Sequence, residues 1–145
     1  SSLGQLLGEM AARGFEKFVA SLDEAADRAP DQSPDARLVA MVRAYLRFAA
    51  ENQAVYGLMF GKREHAVETT PHLAVAMLAA WTQLEEQVAA VVGAGRATYG
   101  AVSVWSTVHG LAMLRLERKL PPHVNPDIAI ETVTRNLLAG LRAES

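Results

Sequence analysis

The chain has 145 residues, 50% of them hydrophobic and 21% charged, with a formal net charge of −2. This length suits one domain with a real core and is short for two, and the charge gives no general attraction to nucleic acid or anionic lipid. The absence of cysteine excludes a disulfide scaffold, a thiol nucleophile and a zinc ribbon, and it fits a reducing cytoplasm.

From Leu3 to Ala29, Leu3, Leu7, Met10, Gly14, Phe15, Phe18 and Leu22 recur at spacings of three and four, while Glu9, Arg13, Glu16, Lys17 and Asp23 fall mostly elsewhere. That pattern predicts an amphipathic helix. The chain opens on Ser1 without a signal pattern and enters this helix at once, as a chain trimmed at its front would. Pro30 and Pro34 break the helix. Asp35 is the expected cap of a second helix, with Leu38, Met41, Val42, Tyr45, Leu46, Phe48 and Ala49 inside. Residues Glu51, Asn52 and Gln53 predict a short break. Ala54 to Phe60 then gives one or two helical turns, ended by Gly61. Lys62 to Thr70 is polar and aperiodic, which predicts a surface loop.

Thr70-Pro71 starts the next helix, with proline at a tolerated first-turn position. Its stripe is Leu73, Met77, Trp81, Leu84, Val88 and Val91, and Gly93-Ala94-Gly95 stops it. A fifth helix runs from Ala97 to Glu117. After Pro121, Pro122 and Pro126 a last helix, Asp127 to Arg142, places Ile130, Val133, Leu137 and Leu141 in register. No stretch alternates with period two, and no apolar run escapes charge or proline for a membrane-spanning length. The reading is all-α: a single helical bundle of five long helices and one short one.

Reactive chemistry finds no foothold. Neither His-x-x-x-His nor Glu-x-x-His occurs. His65, His72 and His123 lie in or beside loops, and no histidine follows Glu85-Glu86 at helical spacing, so no metal site is expected. Ser103 and Ser106 sit mid-helix without a nucleophile elbow. The glycine cluster at Gly93 follows a helix and not a strand, so it is a stop and not a phosphate cradle. Arg115, Arg118 and Lys119 stand where cations face the end of a helix dipole. No catalytic residue and no cofactor is predicted.

The helix over residues 101–114 is apolar nearly all round, so it must be covered on more than one side. Trp105, His109, Ala112, Met113 and Leu116 form one face, and Val104, Val108 and Leu111 a second. Ser103, Ser106, Thr107 and Gly110 form a small third face that lets another helix approach closely. A central position in a monomer would cover it. The other route is a homodimer in which the last two long helices of each chain form a four-helix bundle across a twofold axis, with Val104, Val108, Leu111, Val133, Leu137 and Leu141 as its interface. The first face points Trp105, His109 and Met113 inward, where Tyr45, Phe48, Tyr56, Met59, Phe60, Met77 and Trp81 can join them. Aromatic and methionine side chains fill cores, and they also line pockets for apolar molecules. His109 is within reach of a hydrogen bond to a buried hydroxyl such as that of Tyr45.

Trp105, His109 and Gly110, as Trp-x-x-x-His-Gly, resemble the Trp-His-Gly type of ligand-binding domain in TetR-family transcriptional regulators. Val42 to Gly61, with its Phe-Ala-x-Glu and Tyr-x-Leu-Met-Phe, is similar to that family's fifth and sixth helices. Leu6 to Phe15 is similar to the helix that leaves its DNA-binding head. The resemblance covers essentially the whole chain. It implies a homodimer, a small and apolar effector in a pocket within each subunit, and a one-component regulator, usually a repressor. The family's helix-turn-helix, which puts a helix in the major groove, would precede Ser1. The chain is therefore expected to sense ligand and dimerise without binding DNA alone, and the first helix is the expected transmission element. Two rival readings are a helical dimeric interaction module without ligand, and a helical-bundle enzyme using His109 as its acid–base group.

Overall fold

The computed structural model describes residues 2–60 and 67–143. Six α-helices account for the regular structure of these residues: α1 (Ser2–Asp27), α2 (Pro34–Glu51), α3 (Gln53–Phe60), α4 (Pro71–Val92), α5 (Ala97–Leu116) and α6 (Pro126–Ala143), with a 3-10 turn, Ala94–Arg96, ahead of α5. No described helix is long and apolar enough to cross a membrane. α1 lies against α2, α3 and α4; α5 packs on α4 and α2; α6 closes the far side against α5.

The helix starts follow capping chemistry. Ser33, not Asp35, caps α2: its Oγ accepts from the Ala36 amide at 3.3 Å, and Pro34 takes the first helical position. Asp35 falls inside the first turn, where its carboxylate accepts from Arg142 Nε at 2.6 Å and ties α2 to the end of α6. Thr70 caps α4 by accepting from the Leu73 amide at 3.1 Å, with Pro71 next. Asn52 alone separates α2 from α3, and both its amide and its side chain donate to the Phe48 carbonyl. Gly93 ends α4 with φ +88°, a conformation that favours glycine.

One core cluster joins Phe18 and Leu22 of α1 to Met41, Tyr45 and Phe48 of α2, Tyr56 of α3, Val88 of α4, Val104 and Val108 of α5, and Leu137 and Leu141 of α6. A second, smaller cluster gathers Ala11, Ala12 and Phe15 with Val67, Leu73 and Ala76. Val67 is thus buried, although its segment reads as surface loop. The rest of that expected loop, residues 61–66, lies outside the described residues.

Two expectations are corrected. At the start of α1 Leu3, Leu6 and Met10 face outward, with Leu3 59% exposed, while Gly4, Gly8, Ala11 and Ala12 face in and Leu7 packs partly buried on the second cluster. The reason is closeness: the Glu68 amide donates to the Gly4 carbonyl at 3.1 Å, and a Cβ on Gly8 would stand 2.2 Å from the Glu68 carbonyl oxygen. Gly14 is similarly confined, since a Cβ there would meet Val55 and Met59 at 2.7 and 2.8 Å. The second correction concerns the expected dimer face. Val104, Val108, Leu111, Leu137 and Leu141 are buried within the single chain, and Val133 is partly buried. They cover one another and α2 and α4, and Val133, Leu137 and Leu141 also border a groove on the outer side of α5 and α6. The outward side of α5 instead shows Tyr99, 84% exposed, with Val102, Ser103, Ser106 and Thr107.

Gly8→Ala is expected to cost about 1–3 kcal/mol, since backbone must shift to admit the methyl. Gly57→Ala, with open space around its Cβ, should be neutral or stabilising by up to about 1 kcal/mol through helix propensity. Urea unfolding midpoints of the two variants against the parent check the pair.

Candidate ligand cavity

The five helices α1 to α5 leave between them a cavity of about 390 Å³. α1 contributes Phe15, Phe18 and Leu22, because three- and four-residue spacing keeps these on the side that turns toward α2 and α4. α2 gives Tyr45. α3 gives Leu58, Met59 and Phe60, and α4 gives Met77, Ala80, Trp81, Gln83 and Leu84. α5 adds Trp105. Met77 and Trp105 are each 40% exposed and stand at the solvent side of this space. The described lining carries no lysine, arginine, aspartate or glutamate.

Of the ten pocket residues expected from the sequence, Tyr45, Met59, Phe60, Met77, Trp81 and Trp105 border the cavity. Phe48, Tyr56, His109 and Met113 do not. Phe48 packs edge-on against Phe18 in the core, with centroids 5.4 Å apart, and Met113 also packs on the core. Tyr56 and His109 sit one layer back, as the polar support of Tyr45. The residues that sequence reasoning missed are Phe15, Phe18 and Leu22, whose helix was read as a transmission element, and Leu58, Ala80, Gln83 and Leu84. The spacing of Phe15, Phe18 and Leu22 with Trp81 and Leu84 marks inward faces. Nothing in the sequence marks Gln83.

The wall is a connected set of rings. Phe60 meets Phe15 at 5.0 Å and Tyr56 at 4.9 Å between centroids, and Phe18 meets Tyr45 edge-on at 5.0 Å. Trp105 lies 6.4 Å from Trp81 and 6.1 Å from Phe60. These are the edge-to-face and tilted separations at which ring quadrupoles attract. The rings fix one another's planes and so hold the cavity open as a shaped space.

Behind them, the Tyr45 and Tyr56 hydroxyls are 2.8 Å apart, and Tyr56 Oη lies 2.7 Å from His109 Nδ1. Tyr45 Oη is farther from the same nitrogen, at 3.4 Å, so His109 takes Tyr56 as its nearer partner. If Tyr45 donates to Tyr56 and Tyr56 to Nδ1, both hydroxyl protons and the Nδ1 lone pair are matched. Burial pushes the Tyr45 hydroxyl up to about 12, against weaker opposing bonds from Tyr56 and Trp105. Burial, with the neighbouring Tyr45, also raises Tyr56. Burial lowers His109. All three groups are thus neutral near pH 7, and this end of the cavity is polar but uncharged.

At the other end, Gln83 Nε2 donates to the Val19 carbonyl and to Asp23 Oδ1 of α1, each at 2.8 Å. Its Oε1 is buried and meets no hydrogen-bond partner in the protein.

A charged feature lies outside the cavity. His72, in the first turn of α4, has Nδ1 2.7 Å from Glu9 Oε2, and its Nε2 contacts Glu16 Oε1. Two carboxylates on the two ring nitrogens call for both N–H groups, hence for the imidazolium. The Glu9 bond, then the Glu16 bond, holds the His72 pKa above the ordinary histidine value. No group of histidine and carboxylate side chains among the described residues could hold a metal ion.

The sequence of residues 38–138 matches the family described as tetracyclin repressor-like, C-terminal domain. The chain belongs to this family. Its likeness to a solved structure agrees with that in fold: a protein of unknown function from Rhodococcus sp. RHA1 superposes with a TM-score of 0.81 at 24% identity, over 93% of this chain and 71% of that one. No curated protein matches the chain. The tetracyclin-repressor-like domain is a transcription-regulator module, and its cavity is walled chiefly from within the matched segment, with α1 as the added wall.

The His72 ion pairs join α1 to α4, and their stabilisation is fully present below the unfolded histidine pKa, near 6.5. It is lost as pH rises through the raised folded value. Thermal midpoints measured from pH 6 to 9 should fall more for the parent than for His72→Gln. Parallel curves would remove the pairs as a stability element.

Proposed function

We propose that this domain senses a small apolar molecule in the cavity between α1 and α5, and that binding acts on α1, the element that would carry a DNA-binding head in a one-component regulator. The observation that carries the reading is the lining itself. A space of about 390 Å³ falls in the range of small-molecule sites. It is walled by aromatic, leucine and methionine side chains, with a few polar atoms to orient a guest. Three of the wall residues, Phe15, Phe18 and Leu22, belong to α1, so a guest that fills the space touches that helix directly. It would bias α1 only through a difference in affinity between two positions of the helix.

The same reading assigns the outer face of α5 and α6 to a second copy of the chain. Here a groove of about 680 Å³ is bordered by Tyr99, Ser103, Thr107, Val133, Asn136 and Gly140. Thr107 and Ser106 turn their hydroxyls back to the carbonyls of Ser103 and Val102, at 2.8 and 2.7 Å, leaving methylene and methyl surface outward. A Cβ on Gly110 or Gly140 would meet nothing within 4 Å in the single chain. Small residues on facing helices permit close helix approach, and a twofold pairing of α5 and α6 would give a four-helix interface.

Titration with 1-decanol is expected to raise the thermal midpoint and to stabilise the fold by about 2.7 kcal/mol at a concentration a hundredfold above its dissociation constant. Ala80→Trp, which fills the cavity from α4, should abolish that gain while the variant still folds cooperatively. No stabilisation of the parent by the alcohol would count against the cavity as a binding site. For assembly, native mass spectrometry should give the mass of two chains, and Thr107→Arg combined with Gly140→Arg should give one. A single-chain mass for the parent would sink the interface.

A further inference from the structure

Aromatic residues are 6% of the chain, yet both of its tryptophans and three of its four phenylalanines border the cavity. Three of these rings keep surface that a guest can reach. Trp105 is 40% exposed, and Phe60 and Trp81 are partly exposed. Phe15 and Phe18 are buried and brace Phe60, with centroids 5.0 and 6.2 Å away. Trp105 joins the reachable three. Its centroid lies 6.1 Å from Phe60 and 6.4 Å from Trp81, with the planes inclined at 55° and 65°. Rings inclined in this way are not stacked, so each leaves face surface of its neighbour uncovered.

An aromatic ring is negative on its face and positive at its edge. A flat ring entering between inclined planes can lie on one face while turning its edge to the next, and so match both. A saturated guest of the same skeleton has neither charge pattern to offer and gains only burial and dispersion. Met59 and Met77 also border this space, and thioether sulfur sits favourably at ring edges. The described lining has no charged side chain. Cations favour ring faces too, but here no carboxylate of the described lining would offset their lost hydration, and an anion would find no cation. At about 390 Å³ the space lies at the small end of ligand sites, which favours a compact guest.

We propose that the effector is a compact, uncharged aromatic molecule, and that Phe60, Trp81 and Trp105 select it over a saturated molecule of the same shape. This rests on the cavity being the effector site. The selection is against the ordinary order of apolar binding. A saturated skeleton carries more hydrogen and more apolar surface than its aromatic counterpart, so a cavity that rewards burial alone prefers the saturated one. Ring contacts reverse that order, because an aromatic pair in good geometry adds to what area burial supplies.

The test compares 2-naphthalenemethanol with decahydro-2-naphthalenemethanol, which share skeleton and hydroxyl, and with (2-naphthylmethyl)trimethylammonium, which adds a charge. Titration calorimetry on the parent is expected to show the aromatic alcohol binding about fivefold or more tightly than the saturated one, and the cation more weakly than the aromatic alcohol. In Trp105→Leu, which keeps an apolar side chain at a half-exposed position, the saturated alcohol should still bind and the aromatic preference should fall to near parity. Equal binding of the two alcohols to the parent, or tighter binding of the saturated one, overturns the inference and leaves the cavity standing as the effector site. So does a preference that persists unchanged in both Trp105→Leu and Trp81→Leu. A cation that binds more tightly than the aromatic alcohol overturns the assignment of an uncharged guest. No binding of any of the three probes overturns the cavity reading itself, and this inference with it. Should the leucine variants fail to fold, the ratio of the two alcohols on the parent decides alone.

Discussion

The arrangement of the molecule turns on how closely α1 is approached along its length. Over its first turns the partner is backbone: the Glu68 amide bonds to the Gly4 carbonyl, and Gly8 has no room for a Cβ beside the Glu68 carbonyl. Around Gly14 the partners are Val55 and Met59 of α3. Past that point the helix turns its rings inward, and Phe15, Phe18 and Leu22 become cavity wall and core. One helix is thus held tightly by small residues at one end and gives up its bulk to a space at the other. On the proposed reading, a change in that space would meet a rod whose first turns are held by close backbone contact. The proposed lever role of α1 fits this construction, since tightly packed elements shift between discrete positions and do not deform smoothly.

The cavity joins two kinds of construction. Its walls are rings that brace one another, from Phe15 through Phe60 to Trp105 and Trp81. Its polar ends are held from behind. Tyr45 is backed by Tyr56 and His109, and Gln83 is anchored to α1 by its nitrogen. Neither end carries charge, so affinity for a guest would come from apolar burial, with orientation left to a few hydrogen bonds. The same neutrality explains why two tyrosines can be buried at modest cost: Tyr45 is matched by Tyr56 and Tyr56 by His109, and none must hold an ion in a low-dielectric interior.

α5 serves both sides of this organisation. Its inner residues Val104, Val108 and Leu111 complete the core, Trp105 reaches the cavity, and the opposite side keeps serine, threonine and glycine. On the proposed reading one helix links the guest in each subunit to the junction between subunits. His72, clamped between Glu9 and Glu16, adds a charged fastening between α1 and α4 outside the cavity. Both carboxylates and the imidazole are largely exposed there, so it trims the stability of the α1–α4 contact without governing it.

Much of the architecture was legible without coordinates. Apolar periodicity located all six helices, proline and glycine marked their ends, and the family likeness rested on Trp105, His109 and the Val42 to Gly61 stretch. These are local signals, carried by residues within a few turns of one another. What periodicity could not supply was which of two apolar neighbours faces which partner. It set Leu3 and Met10 inward where Gly4, Gly8 and Ala11 face in, because hydrophobic pattern weighs size and cannot see a backbone passing 2.2 Å from a would-be Cβ. It assigned Val104, Val108 and Leu111 to a partner chain, because an apolar helix surface reads the same whether α2 and α4 or another subunit covers it. Tertiary structure alone decided that Tyr56 and His109 stand behind the cavity, and that Gln83, an ordinary polar residue on a helix by its sequence, has its nitrogen spent on α1 and its oxygen buried unmatched. The sequence by itself determined the helices and the family. The third dimension decided the cavity, because a cavity is a relation among five helices that no single stretch of chain contains.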